Sequence, residues 1–255
     1  MKALAINGGV GRMGQILAEG LGALAQFSVS AIVDTREPSR LFGATYAASF
    51  EAVDAATIDV VIDFSSPEGV VTSAAWCAAH GVGLVIGTTG LSDEQRRVVE
   101  TAATKVGVVI AANYSVGAVL SEKFAAMAAP YFDRVEIIEL HHDKKVDAPS
   151  GTSIAAATAI AAARTHAGLP EMIDPTQRHT LAGARGADTI GGVKIHSVRL
   201  PGLVSHQEIL FGGPGEGLTV RHDSFDRLSF VQGVALAASA IDSTPRLVDG
   251  IDSLI

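Results

Sequence analysis

The sequence predicts an α/β chain in two domains: a parallel sheet covered by helices, then a second α+β domain with a mixed or antiparallel sheet. Two observations carry this prediction. In the first half, short runs rich in Val and Ile alternate with segments of helical spacing, as is typical of a parallel sheet buried on both faces. In the second half, three strand-like runs follow one another with only short turns between them.

The first half contains five strand-like runs. They lie at residues 3–7, 29–34, 60–64, 83–87 and 106–111, and helical spacing fills residues 15–24, 67–80 and 92–104. Two of these helices carry start signals, because Pro67 suits a first helical turn and Ser92-Asp93-Glu94-Gln95 has the form of a capping box. We therefore expect the first domain to cover residues 1–112.

The second domain is expected over residues 113–224. Its predicted helices begin near Gly117 and Ser150, its predicted strands lie at residues 134–141, 193–200, 204–211 and 218–223, and residues 170–188 are polar and irregular. Gly212-Gly213-Pro214-Gly215 reads as the turn between the last two strands. A final helix at about residues 225–241 is expected to return to the first domain, which residues 225–255 then complete.

Composition narrows the classes of function. The chain has 255 residues, of which 48% are hydrophobic, so it can bury two modest cores. Its net charge is −8 and it has no long basic run, which argues against a nucleic-acid partner. The first strand lacks a cleavage-site pattern and no apolar run is long enough to span a membrane, so we expect a cytoplasmic protein with no membrane contact. The single cysteine, Cys77, lies in an apolar helix and is expected to be buried and inert.

A glycine-rich turn follows the first strand and opens the first helix. It contains Gly9-x-Gly11-x-x-Gly14 and also Gly8-x-x-Gly11-x-x-Gly14, and Asp34 ends the next strand twenty residues past Gly14. Glycines let backbone N–H groups approach a pyrophosphate at a helix N-terminus, and an acid at this distance suits a ribose. The pattern favours a Rossmann-like dinucleotide-binding domain over a structural turn with a surface acid.

Two further loops end predicted strands of the same sheet. They are Gly87-Thr88-Thr89-Gly90 and Ala111-Ala112-Asn113-Tyr114. Open α/β sheets bind ligands at the carboxyl ends of their strands. Each loop taken alone could equally be an ordinary turn.

A basic loop between a strand and a helix is the most informative segment. His141, His142, Lys144 and Lys145 fall within five residues, and Pro149-Ser150-Gly151-Thr152 then opens a helix. Lysine, histidine and a helix N-terminus together suit a carboxylate, and histidine can exchange a proton near neutral pH. Spacing places no third ligand for a metal, and the lysines would repel a cation, so we expect no metal. A solvated charged loop remains open on spacing alone.

Nearly the whole chain resembles the 4-hydroxy-tetrahydrodipicolinate reductases, long called dihydrodipicolinate reductases. Glu139-Leu140-His141-His142, Lys145 and Asp147-Ala148-Pro149-Ser150-Gly151-Thr152 match that family's signature. Further matches are the glycine turn, the run Val61-Ile62-Asp63-Phe64, the two loops above, and residues 199–212 and 218–230.

The resemblance implies a function and a role for each matched residue. It implies NAD(P)H-dependent reduction of 4-hydroxy-tetrahydrodipicolinate, a small dianionic ring, on the diaminopimelate route to lysine, by a homotetramer joined through its second domains. His141 and Lys145 match catalytic residues, and His142, Gly151 and Thr152 match contacts to the substrate carboxylates. The implied cofactor contacts are Gly8, Gly9, Val10, Gly11, Arg12, Met13, Asp34, Gly87, Thr88, Thr89, Ala111, Ala112, Asn113 and Tyr114.

The choice between NADH and NADPH turns on the residues after Asp34. Some family members place an arginine directly after the ribose-binding acid, but here Thr35 holds that position and Arg36 follows. In an extended segment the Arg36 side chain would leave on the opposite side, so we expect dual use with a lean toward NADH.

Two other functions stay open at this point. One is another NAD(P)-dependent dehydrogenase of the same architecture, such as a semialdehyde dehydrogenase, which would need a cysteine nucleophile. The other is a non-catalytic NAD(H) sensor, which would need an effector surface.

Overall fold

The computed structural model describes all of residues 1–255. The chain divides into two compact units, the first comprising Met1–Val116 with Arg227–Ile255 and the second comprising Gly117–Asp226. No helix is long and apolar enough to cross a membrane.

The secondary structure consists of twelve strands and six α-helices, with short 3₁₀ turns between some of them. The strands are β1 (Lys2–Asn7), β2 (Phe27–Val33), β3 (Thr45–Ala47), β4 (Val60–Asp63), β5 (Gly83–Ile86), β6 (Gly107–Ile110), β7 (Arg134–His141), β8 (Ala187–Asp188), β9 (Lys194–Arg199), β10 (Ser205–Gly213), β11 (Glu216–Ser224) and β12 (Arg246–Asp249). The helices are α1 (Arg12–Gly22), α2 (Pro67–His80), α3 (Asp93–Ala103), α4 (Val116–Ala128), α5 (Gly151–His166) and α6 (Val231–Ala240).

The first unit is built on a seven-stranded sheet in the order β12-β6-β5-β4-β1-β2-β3. Every neighbouring pair is parallel, which confirms the predicted parallel sheet. The chain runs outward from β1 to β3 and then returns to β4 on the other side of β1. Such a reversal of strand order opens a crevice at the carboxyl ends of the two central strands, and this is where open α/β sheets hold their ligands.

The two outer strands of this sheet, β3 and β12, were absent from the sequence prediction. β3 has only three residues, and three of the four residues of β12 are exposed. Neither strand therefore has the continuous apolar run that marks a strand buried on both faces.

The C-terminal helix returns to the first unit, as predicted, but it is shorter than predicted. A 3₁₀ turn occupies Arg227–Phe230, and α6 begins only at Val231. A Cβ atom on Gly20 of α1 would lie 2.7 Å from the Val231 side chain, so the glycine allows the two helices to approach closely. The Lys2 ammonium donates to the carbonyls of Ala238 and Ser239 at the end of α6, where a cation complements the helix dipole.

The second unit is built on a mixed five-stranded sheet in the order β11-β10-β7-β9-β8. β7 and β9 are parallel and the other pairs are antiparallel, which confirms the predicted mixed sheet. One face of the sheet forms a core with α4 and α5 that includes Ile137, Ile160, Ile195, Ile209 and Phe211. The turn between β10 and β11 is tighter than the predicted Gly212–Gly215, because β10 continues to Gly213 and β11 starts at Glu216. The stretch predicted to be irregular contains the short strand β8.

Candidate functional site

The glycine turn joins β1 to α1 and lies against the end of β4. Gly8 has a φ of 76°, and a Cβ atom on it would lie 2.5 Å from the Phe64 carbonyl oxygen. A Cβ atom on Gly14 would lie 2.3 Å from the Gly8 carbonyl oxygen. These contacts require glycine at both positions. Helix α1 starts at Arg12 with no side-chain cap, so its first N–H groups are left for an external acceptor.

Asp34 lies beside this turn and is tied to it. Its carboxylate accepts a hydrogen bond from the Val10 N–H at 3.0 Å and another from the Arg36 N–H at 3.0 Å. The chain bends after Asp34, and Arg36 folds back so that its Nε lies 3.2 Å from Asp34 Oδ1. The expectation that Arg36 points away was therefore wrong, because it assumed an extended segment. Burial alone would raise the pKa of Asp34, but the hydrogen bonds from Arg36 and Val10 hold it below its usual value.

A buried carboxylate, Asp63, connects three strand ends in the same unit. It accepts hydrogen bonds from Asn7 at 2.8 Å, Thr88 at 2.9 Å and Ser73 at 2.5 Å. Asn7 precedes the glycine turn, Thr88 lies in the loop after β5, and Ser73 lies on α2. The Asp63 side chain thus holds the glycine turn and the Thr88 loop in a fixed relation.

The loops after β5 and β6 place their predicted residues differently. Thr89 and Ala112 are exposed, whereas Ala111 is buried. The Tyr114 side chain is fully buried and its hydroxyl donates to the Ile86 carbonyl at 2.7 Å. Its side chain is part of the core, so a cofactor contact at Tyr114 would have to come from the backbone.

In the second unit, the sheet register places two residues that were not predicted on the strands beside His141. Ser205 lies opposite His141 in the β7–β10 ladder, and Arg199 lies beside it in the β7–β9 ladder. His141 Nδ1 is 2.5 Å from Glu139 Oε2, and its Nε2 is 3.0 Å from the Ser205 hydroxyl. Glu139 is completely buried and receives two hydrogen bonds of 2.7 Å from Arg199.

The loop after β7 carries the remaining basic residues. Lys145 is half-buried and its ammonium lies 2.8 Å from both carboxylate oxygens of Asp147. His142, Asp143 and Lys144 are exposed, so the loop contains one lysine held in place and one in solvent.

The N-terminus of α5 lies next in the chain and supplies backbone donors. Ser150 caps the helix, because its hydroxyl accepts from the Ser153 N–H at 3.2 Å. The N–H groups of Gly151 and Thr152 belong to the first turn, where a helix provides no backbone acceptor. A Cβ atom on Gly151 would meet nothing within 4 Å, so the space beside Gly151 is open. The arrangement can bind an anion.

Residues 2–114 match the family model described as dihydrodipicolinate reductase, N-terminus, and residues 117–254 match the one described as dihydrodipicolinate reductase, C-terminus. The chain belongs to the dihydrodipicolinate reductase family. Membership and the fold of the first unit together indicate that NAD(P)H binds there.

Individual members of the family match most or all of the chain. The 4-hydroxy-tetrahydrodipicolinate reductase of Cutibacterium acnes is 42% identical, over 100% of this chain and 99% of its own length. That of Thermobifida fusca is 48% identical, over 77% of this chain and 81% of its own. A solved dihydrodipicolinate reductase from Paenisporosarcina sp. TG-14 with dipicolinate bound is 38% identical, with a TM-score of 0.89 and full coverage of both chains.

A more distant likeness shows the fold alone. A myo-inositol dehydrogenase from Corynebacterium glutamicum is 12% identical, with a TM-score of 0.60, over 94% of this chain and 88% of its own. The dihydrodipicolinate reductase family thus shares its architecture with dehydrogenases of other substrates.

The structure also bears on a cysteine nucleophile and on a metal site. Cys77 is completely buried, and burial raises the pKa of its thiol, so it cannot act as the exposed nucleophile of a semialdehyde dehydrogenase. No group of three or more His, Cys, Asp or Glu side chains is placed to hold a metal ion.

Proposed function

We propose that this chain reduces 4-hydroxy-tetrahydrodipicolinate with NAD(P)H on the diaminopimelate route to lysine. The main support is that the second unit places His141, Lys145 and the N-terminus of α5 along one short segment. In addition, relatives that match the chain over its full length are named as this reductase. The reaction balances as substrate, NAD(P)H and one proton giving tetrahydrodipicolinate, NAD(P)⁺ and water.

Within this proposal each residue of the second unit has a task. The cofactor, when bound, supplies a hydride. The Lys145 ammonium supplies the proton, and His141 exchanges a proton through its Nε2. The two substrate carboxylates are bound by the N–H groups of Gly151 and Thr152 at the start of α5, and by His142. A dianionic ring suits this segment because every one of these groups is a hydrogen-bond donor or a cation.

The cofactor is proposed to lie along the carboxyl ends of the strands of the first unit. The glycine turn and the start of α1 receive the pyrophosphate, and Asp34 receives the ribose. The residues assigned to the cofactor are Gly8, Gly9, Val10, Gly11, Arg12, Met13, Asp34, Gly87, Thr88, Thr89, Ala111, Ala112, Asn113 and Tyr114. In this division of labour, the unit formed by Met1–Val116 and Arg227–Ile255 binds the cofactor, and the unit Gly117–Asp226 binds the substrate and forms the oligomer.

We further propose that both cofactors are used, with NADH favoured about tenfold. The Asp34 carboxylate can accept from ribose hydroxyls and repels the 2′-phosphate of NADPH. The Arg36 guanidinium, which pairs with Asp34 and is 67% exposed, offsets part of that repulsion. The preference is therefore modest.

The active form is proposed to be a cytoplasmic homotetramer. In the second unit, one face of the sheet packs on α5 while the other carries Ile138, Leu140 and Leu210, which are only partly buried in the single chain. Apolar side chains on an uncovered sheet face are suited to association between copies. Reduced nicotinamide cofactors for biosynthesis are found in the cytoplasm.

The function is tested by following NADH absorbance with purified protein in three parallel assays: the ring substrate with NADH, an aldehyde with NAD⁺ and inorganic phosphate, and an inositol with NAD⁺. We expect NADH to be consumed only with the ring. Turnover of the aldehyde or inositol without the ring would show another dehydrogenase. NADH binding with no turnover of any compound would show a sensor.

A further inference from the structure

Glu139 is a buried acid on the core-facing side of β7, and each oxygen of its carboxylate has two hydrogen-bond partners. Arg199 donates one hydrogen bond to each oxygen at 2.7 Å, and the Ser150 N–H donates to Oε1 at 3.2 Å. The fourth contact is His141 Nδ1, 2.5 Å from Oε2. A buried acid with this many donors is held in its ionised form.

The ionisation of Glu139 decides which nitrogen of His141 carries the proton. Burial would raise the pKa of Glu139, but hydrogen bonds led by those from Arg199 lower it to about 2. The carboxylate can only accept a hydrogen bond, so His141 Nδ1 must carry the hydrogen that lies between them. In the neutral ring, Nε2 is then left with a lone pair.

The surroundings of His141 favour the neutral ring. Its burial lowers its pKa below the ordinary value, an effect that Glu139 opposes and that the charges of Lys145 and Arg199 assist. Its Nε2 lies 3.0 Å from the Ser205 hydroxyl, which donates to the lone pair. The nitrogen that faces Ser205 is therefore the one able to take up a proton.

Arg199 also connects His141 to the rest of the proposed site. Its Nη2 donates to the Asp147 carbonyl at 2.7 Å, and Asp147 pairs with Lys145 through its side chain. Glu139 in turn accepts from the N–H of Ser150, the residue that caps α5. One buried ion pair thus fixes the imidazole, the lysine loop and the start of the helix.

We propose that Glu139 and Arg199 are positioning residues that hold His141 as the tautomer protonated on Nδ1, so that Nε2 is the nitrogen that exchanges a proton with the substrate. The role in the reaction rests on the proposed function, whereas the tautomer is a property of the protein alone. Neither residue touches the substrate in this proposal, and both act through His141 and the loop.

The tautomer is tested first in the unaltered protein, by ¹⁵N NMR of the histidine rings at neutral pH, with the His141 signals assigned from a His141→Gln sample. We expect a neutral ring with a protonated Nδ1 and a bare Nε2. A ring protonated on Nε2 alone overturns the inference, whatever the activity of the enzyme.

The effect on the reaction is tested with Glu139→Gln, because an amide can donate to Nδ1 and so allows the other tautomer. We expect kcat to fall by about 10²–10⁴-fold, with NADH affinity unchanged. The acid limb of the kcat/KM profile should move to lower pH, since the carboxylate raises the pKa of His141. A kcat within threefold of the unaltered enzyme, or an unchanged tautomer, contradicts the inference.

Two further variants keep this test decisive. Glu139→Gln/Arg199→Gln removes both buried charges, so it serves if the single variant fails to fold, and it should lose turnover to the same extent. Glu136→Gln is the matched control, because Glu136 pairs with His196 at 2.7 Å and with Arg185 on the opposite face of the same strand. Glu136→Gln should keep full turnover. If it lost as much turnover as Glu139→Gln, the loss would reflect the removal of any ion pair from β7 and not the positioning of His141. Unaltered enzyme that fails to consume NADH with the ring disproves the proposed function and leaves the tautomer result standing.

Discussion

At the scale of single residues, two side chains show how local geometry alters an argument made from sequence. Arg36 follows Thr35 and would leave an extended strand on the side opposite Asp34, yet the bend after β2 returns it to the carboxylate. Glu139 is the only charged residue on the buried face of β7 between Val135 and His141, and in the structure it is the most heavily hydrogen-bonded acid of the second unit's proposed site. In both cases an ion pair contains or contacts a residue for which a function is proposed.

Replacing Arg36 should change the choice of cofactor. In Arg36→Ala the Asp34 carboxylate faces a 2′-phosphate without its partner, so kcat/KM for NADPH should fall about tenfold while that for NADH changes less than threefold. Steady-state kinetics with both cofactors measure this. Arg40→Ala is the control, because Arg40 lies in the same loop but pairs with Glu19. If kcat/KM for NADPH fell further in Arg40→Ala than in Arg36→Ala, Arg40 and not Arg36 would be the residue that contacts the 2′-phosphate.

How far these residues could be predicted depends on the distance along the chain. Asp34 could be found because its spacing from the glycine turn is fixed by one strand–helix–strand unit. The partners of Glu139 could not, because Arg199 is 60 residues away and only the β7–β9 register brings it near. A charged residue in a buried strand signals that a partner exists but does not say which one.

At the scale of elements, β7, its following loop and the start of α5 form one segment that carries the residues proposed to act on the substrate. The strand fixes His141, the loop carries Lys145, and the helix offers the N–H groups of Gly151 and Thr152. Sequence could predict this order because the helix cap and the strand are both local signals. It could not predict that β12 and β3 would extend the other sheet, since their residues lack a buried pattern.

The start of α5 should affect substrate binding and leave cofactor binding alone. Thr152→Val keeps the branched shape of the side chain and the backbone N–H, and removes only the hydroxyl, a further hydrogen-bond donor for a carboxylate bound at this first turn. We expect KM for the ring substrate to rise about tenfold, which corresponds to about 1.4 kcal/mol, with the Kd for NADH unchanged by calorimetry. Thr158→Val, further along the same helix, is the control. An equal loss of NADH affinity in Thr152→Val would place the cofactor at this helix.

The Glu139 ion pair should make the stability of the protein depend on pH in a defined window. Its folded pKa of about 2 lies below its ordinary value of 4.5, so its contribution is present above pH 4.5 and is lost as the pH falls toward 2. The full difference corresponds to roughly 3 kcal/mol. Urea unfolding of the unaltered protein and of Glu139→Gln should show a free-energy gap that is constant near neutral pH and narrows by about this amount on acidification. A gap that does not vary with pH would contradict the assignment of the charge.

At the scale of the whole molecule, the chain combines a parallel sheet and a mixed sheet, and each sheet lies entirely within one of the two units. The fold class followed from the sequence because alternating strand and helix patterns and consecutive strands are both repeated several times. No local sequence pattern of this kind predicts the number of copies in the assembly. It rests on the resemblance to the family and on the uncovered face of the second sheet.

A charge on that face should disrupt the proposed tetramer. Leu210 lies in the middle of β10 and is partly buried in the single chain. In Leu210→Arg a cation would have to be desolvated in each copy, so the tetramer should dissociate to smaller species while circular dichroism stays unchanged. Light scattering after size exclusion measures the mass. A Leu218→Arg variant, at an exposed position of β11, is the comparison, and a monomeric unaltered protein would refute the proposal outright.

The central claim is that the ring is reduced with a proton from Lys145. The most direct measurement is a single-turnover experiment in which excess enzyme and NADH are mixed with 4-hydroxy-tetrahydrodipicolinate and the loss of NADH absorbance is followed. Lys145→Ala is compared with Lys144→Ala, which alters the neighbouring exposed lysine. We predict that Lys145→Ala slows the step by about 10²–10⁴-fold and that Lys144→Ala does not slow it measurably. Equal rates for the two variants, or loss of NADH without the ring substrate, would contradict the account.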